Sequence, residues 1–267
     1  MSSDTLLEAI ERGRNDYEFF GSYFLNRVPH AGQLEWHQSA NATFNVLPTS
    51  NRWGKTTAIV DRHYHHQIYK IGAEWRYLDE QGKVDSDAFF KCRYRTVHTA
   101  DLWDTAALVW DDALRLLKES KVLESFVRQA PLSKPPHINF LFGGQWNFRT
   151  LGNDAAGIDG DSYYLITVDE GGWIDDLLEK INNVLRVRVA DVRGKIDVVG
   201  TMKPGISRDF FTLGVRAAAH TGAEAVLSYR GVEDEKLEHG GLDRTIRGYL
   251  SEIGVTEDEF ADAIGGV

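Results

Sequence analysis

The chain has 267 residues, 42% of them hydrophobic and 26% charged, with a formal net charge of −10 at pH 7. That length allows one large α/β domain with a sizeable core. No apolar run approaches the roughly 20 residues of a membrane span, so no membrane partner is expected. The single cysteine, Cys92, excludes an intrachain disulfide and reads as a packed thiol. The polar opening residues do not resemble a signal peptide. The acidic balance argues against a wide nucleic-acid grip, which needs clustered Lys and Arg, and leaves room for local contacts.

In chain order, Asp4 is placed to cap a first helix with Leu6, Leu7 and Ile10 on one face. The aromatic run Tyr17, Phe19, Phe20, Tyr23 and Phe24 reads as core packing. Residues 33–44 read as a helix, 45–48 as a short buried strand, and the segment after Thr56 as a helix reaching about Tyr69. The polar stretch 72–88 reads as an inserted hairpin or loop, and 89–97 as a strand. Residues 101–118 predict a strong helix with Leu102, Ala106, Val109, Ala113, Leu116 and Leu117 inward. Pro131, Pro135 and Pro136 mark a loop, followed by a hairpin over 138–142 and 146–151. Residues 163–168 are almost continuously apolar, as in a strand covered on both faces of a parallel sheet. A helix over 175–185 follows, with Asp175 and Asp176 near its N-terminus, then a strand over 195–200. The tail after 206 reads as helical pieces, the last with Thr256 and Glu259 as a capping box. Strands alternating with helices predict a doubly wound, mainly parallel sheet.

Two motifs carry chemistry. Gly54-Lys55-Thr56 stands between a strand and a helix. A phosphate-binding loop needs a tight turn of backbone N–H groups, a lysine for the terminal phosphates and a hydroxyl for Mg²⁺. The helix dipole adds to the anion's stabilisation. Two features depart from the usual pattern: Thr49 replaces the first glycine, and bulky Trp53 precedes Gly54. The second motif is the apolar strand ending in Asp169 and Glu170, about 115 residues downstream. Asp169 is suited to hold Mg²⁺, and Glu170 to polarise the attacking water. An acidic pair after a strand can also cap a helix. The conjunction of the two motifs favours an ATP-hydrolysing P-loop domain, and Glu170 beside Asp169 points to its additional-strand branch.

Asn51-Arg52-Trp53-Gly54-Lys55-Thr56 resembles the arginine-containing, glycine-poor phosphate loop of tailed-phage terminase large subunits. Pro29-His30-Ala31-Gly32-Gln33 is similar to that family's glutamine motif, with Gln33 the candidate adenine reader and Gln38 a fallback. Val198-Val199-Gly200-Thr201 resembles its coupling motif, Thr201 matching the threonine that senses the γ-phosphate. The resemblance covers residues from about 17 to 210. It implies an α/β P-loop NTPase of the additional-strand, catalytic-glutamate (RecA-like) type, with a mainly parallel sheet flanked by helices. The expected division is an ATPase core over 1–210 and a helical lid or linker over 211–267.

The resemblance further implies a nucleotide site of Gln33, Ser50, Asn51, Arg52, Trp53, Gly54, Lys55, Thr56 and Thr57. Glu170, Lys55, Arg52 and Thr201 are the expected catalytic residues, and Thr56 and Asp169 the Mg²⁺ ligands. It implies ATP hydrolysis driving double-stranded DNA into a procapsid in the host cytoplasm. The implied partners are further copies in a ring, a pentamer in the family, with a portal protein and a terminase small subunit. Where the family has an Arg-Gly pair acting on a neighbour's ATP, this chain has Asp159-Gly160. Arg128, Arg149, Arg186 and Arg188 are the alternative trans-acting candidates. About sixty residues follow the coupling motif, too few for the family's nuclease, so an isolated ATPase domain or a chain without the nuclease is expected. A helicase-like translocase and a non-catalytic nucleotide-binding module remain the rival readings.

Other clusters carry less. His63, His65 and His66 read as a solvated helix face rather than Zn²⁺ ligands, which must converge. Arg186, Arg188, Arg193 and Lys195 form a basic cluster, read as a solvated strand or loop edge with a DNA or subunit contact as the rival.

Overall fold

The computed structural model describes residues 3–39, 43–49, 52–130, 136–152, 158, 160–201 and 209–210. Ser50, Asn51, Asp159, the expected lid and the Thr256 capping box lie outside the described residues. One sheet contains β1 (Phe44–Thr49), β2 (Tyr94–Ala100), β3 (Val127–Gln129), β4 (His137–Phe140), β5 (Gly144–Thr150), β6 (Leu165–Val168) and β7 (Lys195–Thr201). Their order is β1-β7-β6-β2-β5-β4-β3. The first five in that order are parallel, and β4 and β3 continue the sheet antiparallel. β7 is thus the strand inserted between the one leading into the phosphate loop and the one ending in the acidic pair. This is the mainly parallel, additional-strand α/β architecture the motifs imply.

The helices are α1 (Ser3–Asn15), α2 (Tyr17–Phe24), α3 (Ala31–Ser39), α4 (Lys55–Tyr69), α5 (Ser86–Lys91), α6 (Trp103–Glu119), α7 (Lys121–Glu124), α8 (Leu177–Lys180) and α9 (Arg186–Ala190). A π-helical turn, Ile181–Leu185, joins the last two. On one face of the sheet, Val46, Val97, Ile166, Val168, Ile196 and Val198 pack against Leu177, Ile181, Leu185 and Val189. The other face meets α4 and α6, and α2 and α3 close over that core with Phe20, Phe24 and Trp36. β6 is buried along its whole length, which is why Leu-Ile-Thr-Val shows no polar alternation.

Several expected boundaries move. The helix expected over 33–44 is α3, ending at Ser39, because Phe44 is claimed by the sheet opposite Ile196. The strand expected over 89–97 starts at Tyr94. The Asp85 carboxylate accepts from the Asp87 and Ala88 N–H groups and caps α5, which occupies the preceding residues. The 72–88 insert contains a short 3₁₀ turn, Glu74–Tyr77, and a bridge between Leu78 and Val84. Leu102 is exposed rather than inward, because it precedes the first turn of α6. Ala106, Val109, Ala113, Leu116 and Leu117 are buried as expected, and so is Cys92.

Candidate nucleotide-binding site

β1 delivers the chain at Thr49, which is fully buried, and the loop turns through Arg52 and Gly54 into α4. Both take the left-handed backbone region, at φ +67° and +95°. Gly54 has two reasons to lack a side chain. Its φ penalises a Cβ, and a Cβ there would lie 2.7 Å from the Gln33 amide nitrogen. Gly54 also precedes α4 without any side chain to cap it, so the helix N-terminus faces the loop with its positive dipole end. Trp53 does not crowd the phosphate side: it is buried in the α2–α3 core and meets the His30 ring edge-to-face at 4.9 Å.

Lys55, Asp169, Glu170 and Thr201 converge at the C-terminal edge of the sheet. The Lys55 ammonium donates to Thr201 Oγ1 at 2.8 Å and stands 3.9 Å from Glu170 Oε1. The Asp169 N–H donates to the Thr99 carbonyl, extending the pairing of β6 with β2 by one residue. Burial pushes the Asp169 carboxyl up to about 7; the Glu170 charge adds to that, while the Glu170 N–H bond and the Lys55 charge oppose it. Glu170 takes φ +50°, unusual for a residue with a Cβ. Its buried Oε2 has no hydrogen-bond donor among the described residues. A buried acceptor without a donor is costly, and a water at that oxygen would satisfy it.

Glycines bring the chain after Glu170 against the end of β7. A Cβ on Gly172 would lie 2.8 Å from the Thr201 carbonyl oxygen, and one on Gly200 3.0 Å from the Gly171 nitrogen. Main chain packs directly on main chain there, locking the acidic pair to the threonine strand.

Gln33 sits against the loop. Its amide nitrogen donates to the Gly54 carbonyl at 3.1 Å, and its carbonyl oxygen accepts from the His30 N–H at 3.1 Å. His30, not among the expected site residues, completes this latch. Its Nε2–H donates to the Trp53 carbonyl at 2.7 Å, and its Nδ1 accepts from the Gln33 N–H at 3.3 Å. The only signal in the sequence was its place beside Gln33. Behind the loop, Arg27 donates to the Thr57 carbonyl at 3.1 Å and pairs with Asp61 and Asp112, tying the start of α4 to α6.

Arg52 is exposed on the loop, and no carboxylate among the described residues pairs with it. Thr56 and Thr57 are half-buried in the first turn of α4. The Thr56 hydroxyl and the Asp169 carboxylate are hard oxygen donors of the kind Mg²⁺ takes alongside water and phosphate oxygens. The elevated Asp169 pKa fits a carboxylate that a cation would compensate.

The histidine reading is corrected. His63, His65 and His66 are buried, and burial holds all three pKa values down, His65 at about 3. His63 bridges the Thr96 and Thr167 hydroxyls at 2.9 and 2.8 Å, and His66 meets Tyr94. His63 and His66 knit α4 to the sheet, and His65 ties it to α1 and α2 through the Arg14 carbonyl and the Tyr17 and Phe20 rings. Among the described residues no group of three His, Cys, Asp or Glu side chains could hold a metal. The basic cluster divides: Arg186 and Arg188 lie on α9, whereas Arg193 is in the following turn and Lys195 opens β7, as a loop and strand edge would have them. Of the other trans-acting candidates, Arg128 is exposed on β3. Arg149 is half-buried and donates to its own chain at the Phe148 carbonyl, 2.8 Å away.

No protein-family model matches the sequence, and no curated protein matches it. Solved structures do. The large terminase of bacteriophage HK97 superposes with a TM-score of 0.60 at 15% identity over 94% of this chain, which spans half of that protein's length. The large terminase ATPase domain of Thermus phage P74-26 superposes with a TM-score of 0.56 at 14% identity, covering 94% of this chain and 98% of that domain. The chain has the fold of phage large terminase ATPase domains, as the loop, glutamine and coupling motifs implied.

Proposed function

We propose that this chain hydrolyses ATP as the motor domain of a machine that drives double-stranded viral DNA into a procapsid. The observation that supports it best is the convergence of the loop lysine with both the acidic strand end and the threonine strand end. Thr201 and Glu170 flank the Lys55 ammonium. On binding, Lys55 turns to the terminal phosphates while the N-terminal N–H groups of α4 accept the anion. Thr56 and Asp169 would hold Mg²⁺, which supplies charge neutralisation at the phosphate oxygens. Glu170 accepts a hydrogen bond from water through Oε2 and orients it at the γ-phosphorus. The water oxygen bonds to phosphorus as its proton passes to the Glu170 carboxylate, the bond to the β–γ bridging oxygen breaks, and ADP and phosphate leave. Arg52 offsets charge on the γ-phosphate. Thr201, bonded to Lys55 at the end of β7, links the γ-phosphate position to that strand.

Double-stranded DNA, a ring of identical subunits (five by family resemblance), the portal and small-subunit partners, and docking on a procapsid in the host cytoplasm belong to this proposal. A ring suits the net charge of −10, because DNA touches only an inner rim. The test is phosphate release at high protein concentration. Glu170→Gln should lower turnover by about two to four orders of magnitude while nucleotide binding survives. Lys55→Ala should lose binding itself. A wild-type chain that binds ATP without hydrolysing it even when concentrated would instead be a non-catalytic nucleotide-binding module. Unwinding of a tailed duplex would place it among helicases.

A further inference from the structure

The N-terminal edge of the sheet, opposite the phosphate loop, carries a cavity of about 540 Å³. Arg93, Arg95, Arg128, Asn139, Phe142 and Gln145 line it. It lies at the opposite end of the strands from the loop, and the loop follows β1, three strands away from β2. Asp161 pairs with Arg95 and stands 3.7 Å from Arg93, so one carboxylate is shared by two of the three guanidiniums. In a chain of net charge −10 this is a local reversal of sign.

Phe142 at the rim is the second observation. Its side chain is 59% exposed, and its backbone sits at φ +65°, an outlier for an aromatic residue. The fold fixes it there. The buried Lys70 ammonium donates to the Phe142 carbonyl at 2.5 Å and to the Phe89 and Cys92 carbonyls at 3.2 Å. Gly143 follows at φ +84°, where a Cβ would lie 2.7 Å from the Cys92 carbonyl oxygen. A buried charge and a strained turn hold one aromatic ring outward beside a basic hollow.

We propose that this cavity binds a single-stranded nucleic-acid segment. Backbone phosphates lie on Arg93 and Arg128 and an unpaired base stacks on Phe142, while the Gln145 amide nitrogen donates to Asn139 Oδ1 at 3.0 Å. Guanidiniums on the backbone with an aromatic platform under the bases is the chemistry by which single strands are held. The volume suits a nucleotide-sized group. A base inside a duplex is already stacked on both sides, so the Phe142 ring selects unpaired ones. The site requires no ATP chemistry, and its test is independent of hydrolysis. It shares one element with the loop: α4 begins at Lys55, and Lys70 caps its far end.

The experiment is fluorescence anisotropy of a labelled short oligothymidylate at low salt without nucleotide. Wild type should bind it, and an unlabelled duplex of equal length should compete poorly. Phe142→Gly, which relieves the left-handed strain and so preserves the fold, should weaken binding about tenfold, and Phe142→Tyr should restore it. Arg128→Ala should weaken binding and reduce the log–log salt slope by about 0.7. Absence of binding by wild type, or Phe142→Gly binding like wild type, overturns the proposal. So does equal competition by duplex or by polyglutamate of matched charge, which would leave only a general anion or peptide surface.

Discussion

On the face that meets α8 and α9, the strands contribute Val46, Val97, Ile166, Val168, Ile196 and Val198, which pack against Leu177, Ile181, Leu185 and Val189. On the face that meets α4, Asn45, Thr96, His98, Thr167 and Asp197 are buried beneath Arg62, His63 and Gln67. Asn45 Nδ2 donates to Asp197 at 2.6 Å, Arg62 pairs with the same carboxylate, and Gln67 reaches Thr96 at 2.9 Å. Apolar packing is non-directional and tolerates small slips. Buried hydrogen bonds do not, because a shifted helix strands each polar group without a partner. The polar face lies beneath the helix that carries Lys55. The difference teaches that this fold uses directional contacts to fix the phosphate-loop helix and apolar packing to hold the rest.

The largest effect expected from breaking that division is at Arg62 and Asp197. Asp197→Ala leaves a guanidinium buried without its carboxylate and should cost about 3–5 kcal/mol in urea unfolding. The double replacement Arg62→Met with Asp197→Leu should recover most of that stability. Phosphate release should stay impaired in the double variant, since α4 has lost its directional pin. Full activity there would show that apolar packing positions the helix just as well.

Asp169 comes next. Its folded-state pKa of about 7 lies above the ordinary 3.8, so its share of stability is full below about pH 3.8 and is lost as pH rises through about 7. Keeping it ionised at pH 8 costs up to about 4 kcal/mol. Asp169→Asn should therefore raise the melting temperature of the nucleotide-free chain in chelator at pH 8. The gain should shrink toward pH 4, and hydrolysis should vanish at every pH. A gain independent of pH would remove burial of the charge as its cause. On the apolar face, Leu185→Ala should cost about 3 kcal/mol, with turnover per folded molecule unchanged. A drop in turnover at full folding would mean that this face positions the site too.

The parts of this arrangement legible in the sequence were those with a short-range pattern. The apolar run before Asp169 and Glu170 pointed to a doubly covered strand, and the stretch after Gly54-Lys55-Thr56 pointed to a helix reaching about Tyr69. The polar face was not legible. A helix bearing Arg62, His63, His65, His66 and Gln67 looks solvated by composition, because hydropathy carries no information about whether a polar group has found a buried partner. The start of β2 was missed because Asp85 caps α5 through two backbone N–H groups, a local bond that outweighs the strand propensity of Phe89 and Phe90. Trp53 looked too bulky for its loop because only the fold reveals the pocket behind it, roofed by His30.

The smallest effect belongs to Gln33 and separates two jobs for one side chain. The family resemblance has it read adenine, yet in this structure its amide holds the Gly54 carbonyl and its own carbonyl oxygen accepts from His30. A neutral hydrogen bond of this kind contributes about 1 kcal/mol, or about fivefold in an equilibrium constant. If the latch is its work, Gln33→Ala should raise the KM for ATP and for GTP by the same factor, near fivefold, with kcat unchanged, because shaping the loop stabilises ground state and transition state alike. If base reading is its work, the ATP-to-GTP preference should collapse while the GTP parameters stay put. His30→Ala discriminates further. It removes the ring bonds to the Trp53 carbonyl and the Gln33 N–H while the His30 backbone N–H still donates to the Gln33 side chain, so it should give a weaker latch phenotype and leave base preference intact.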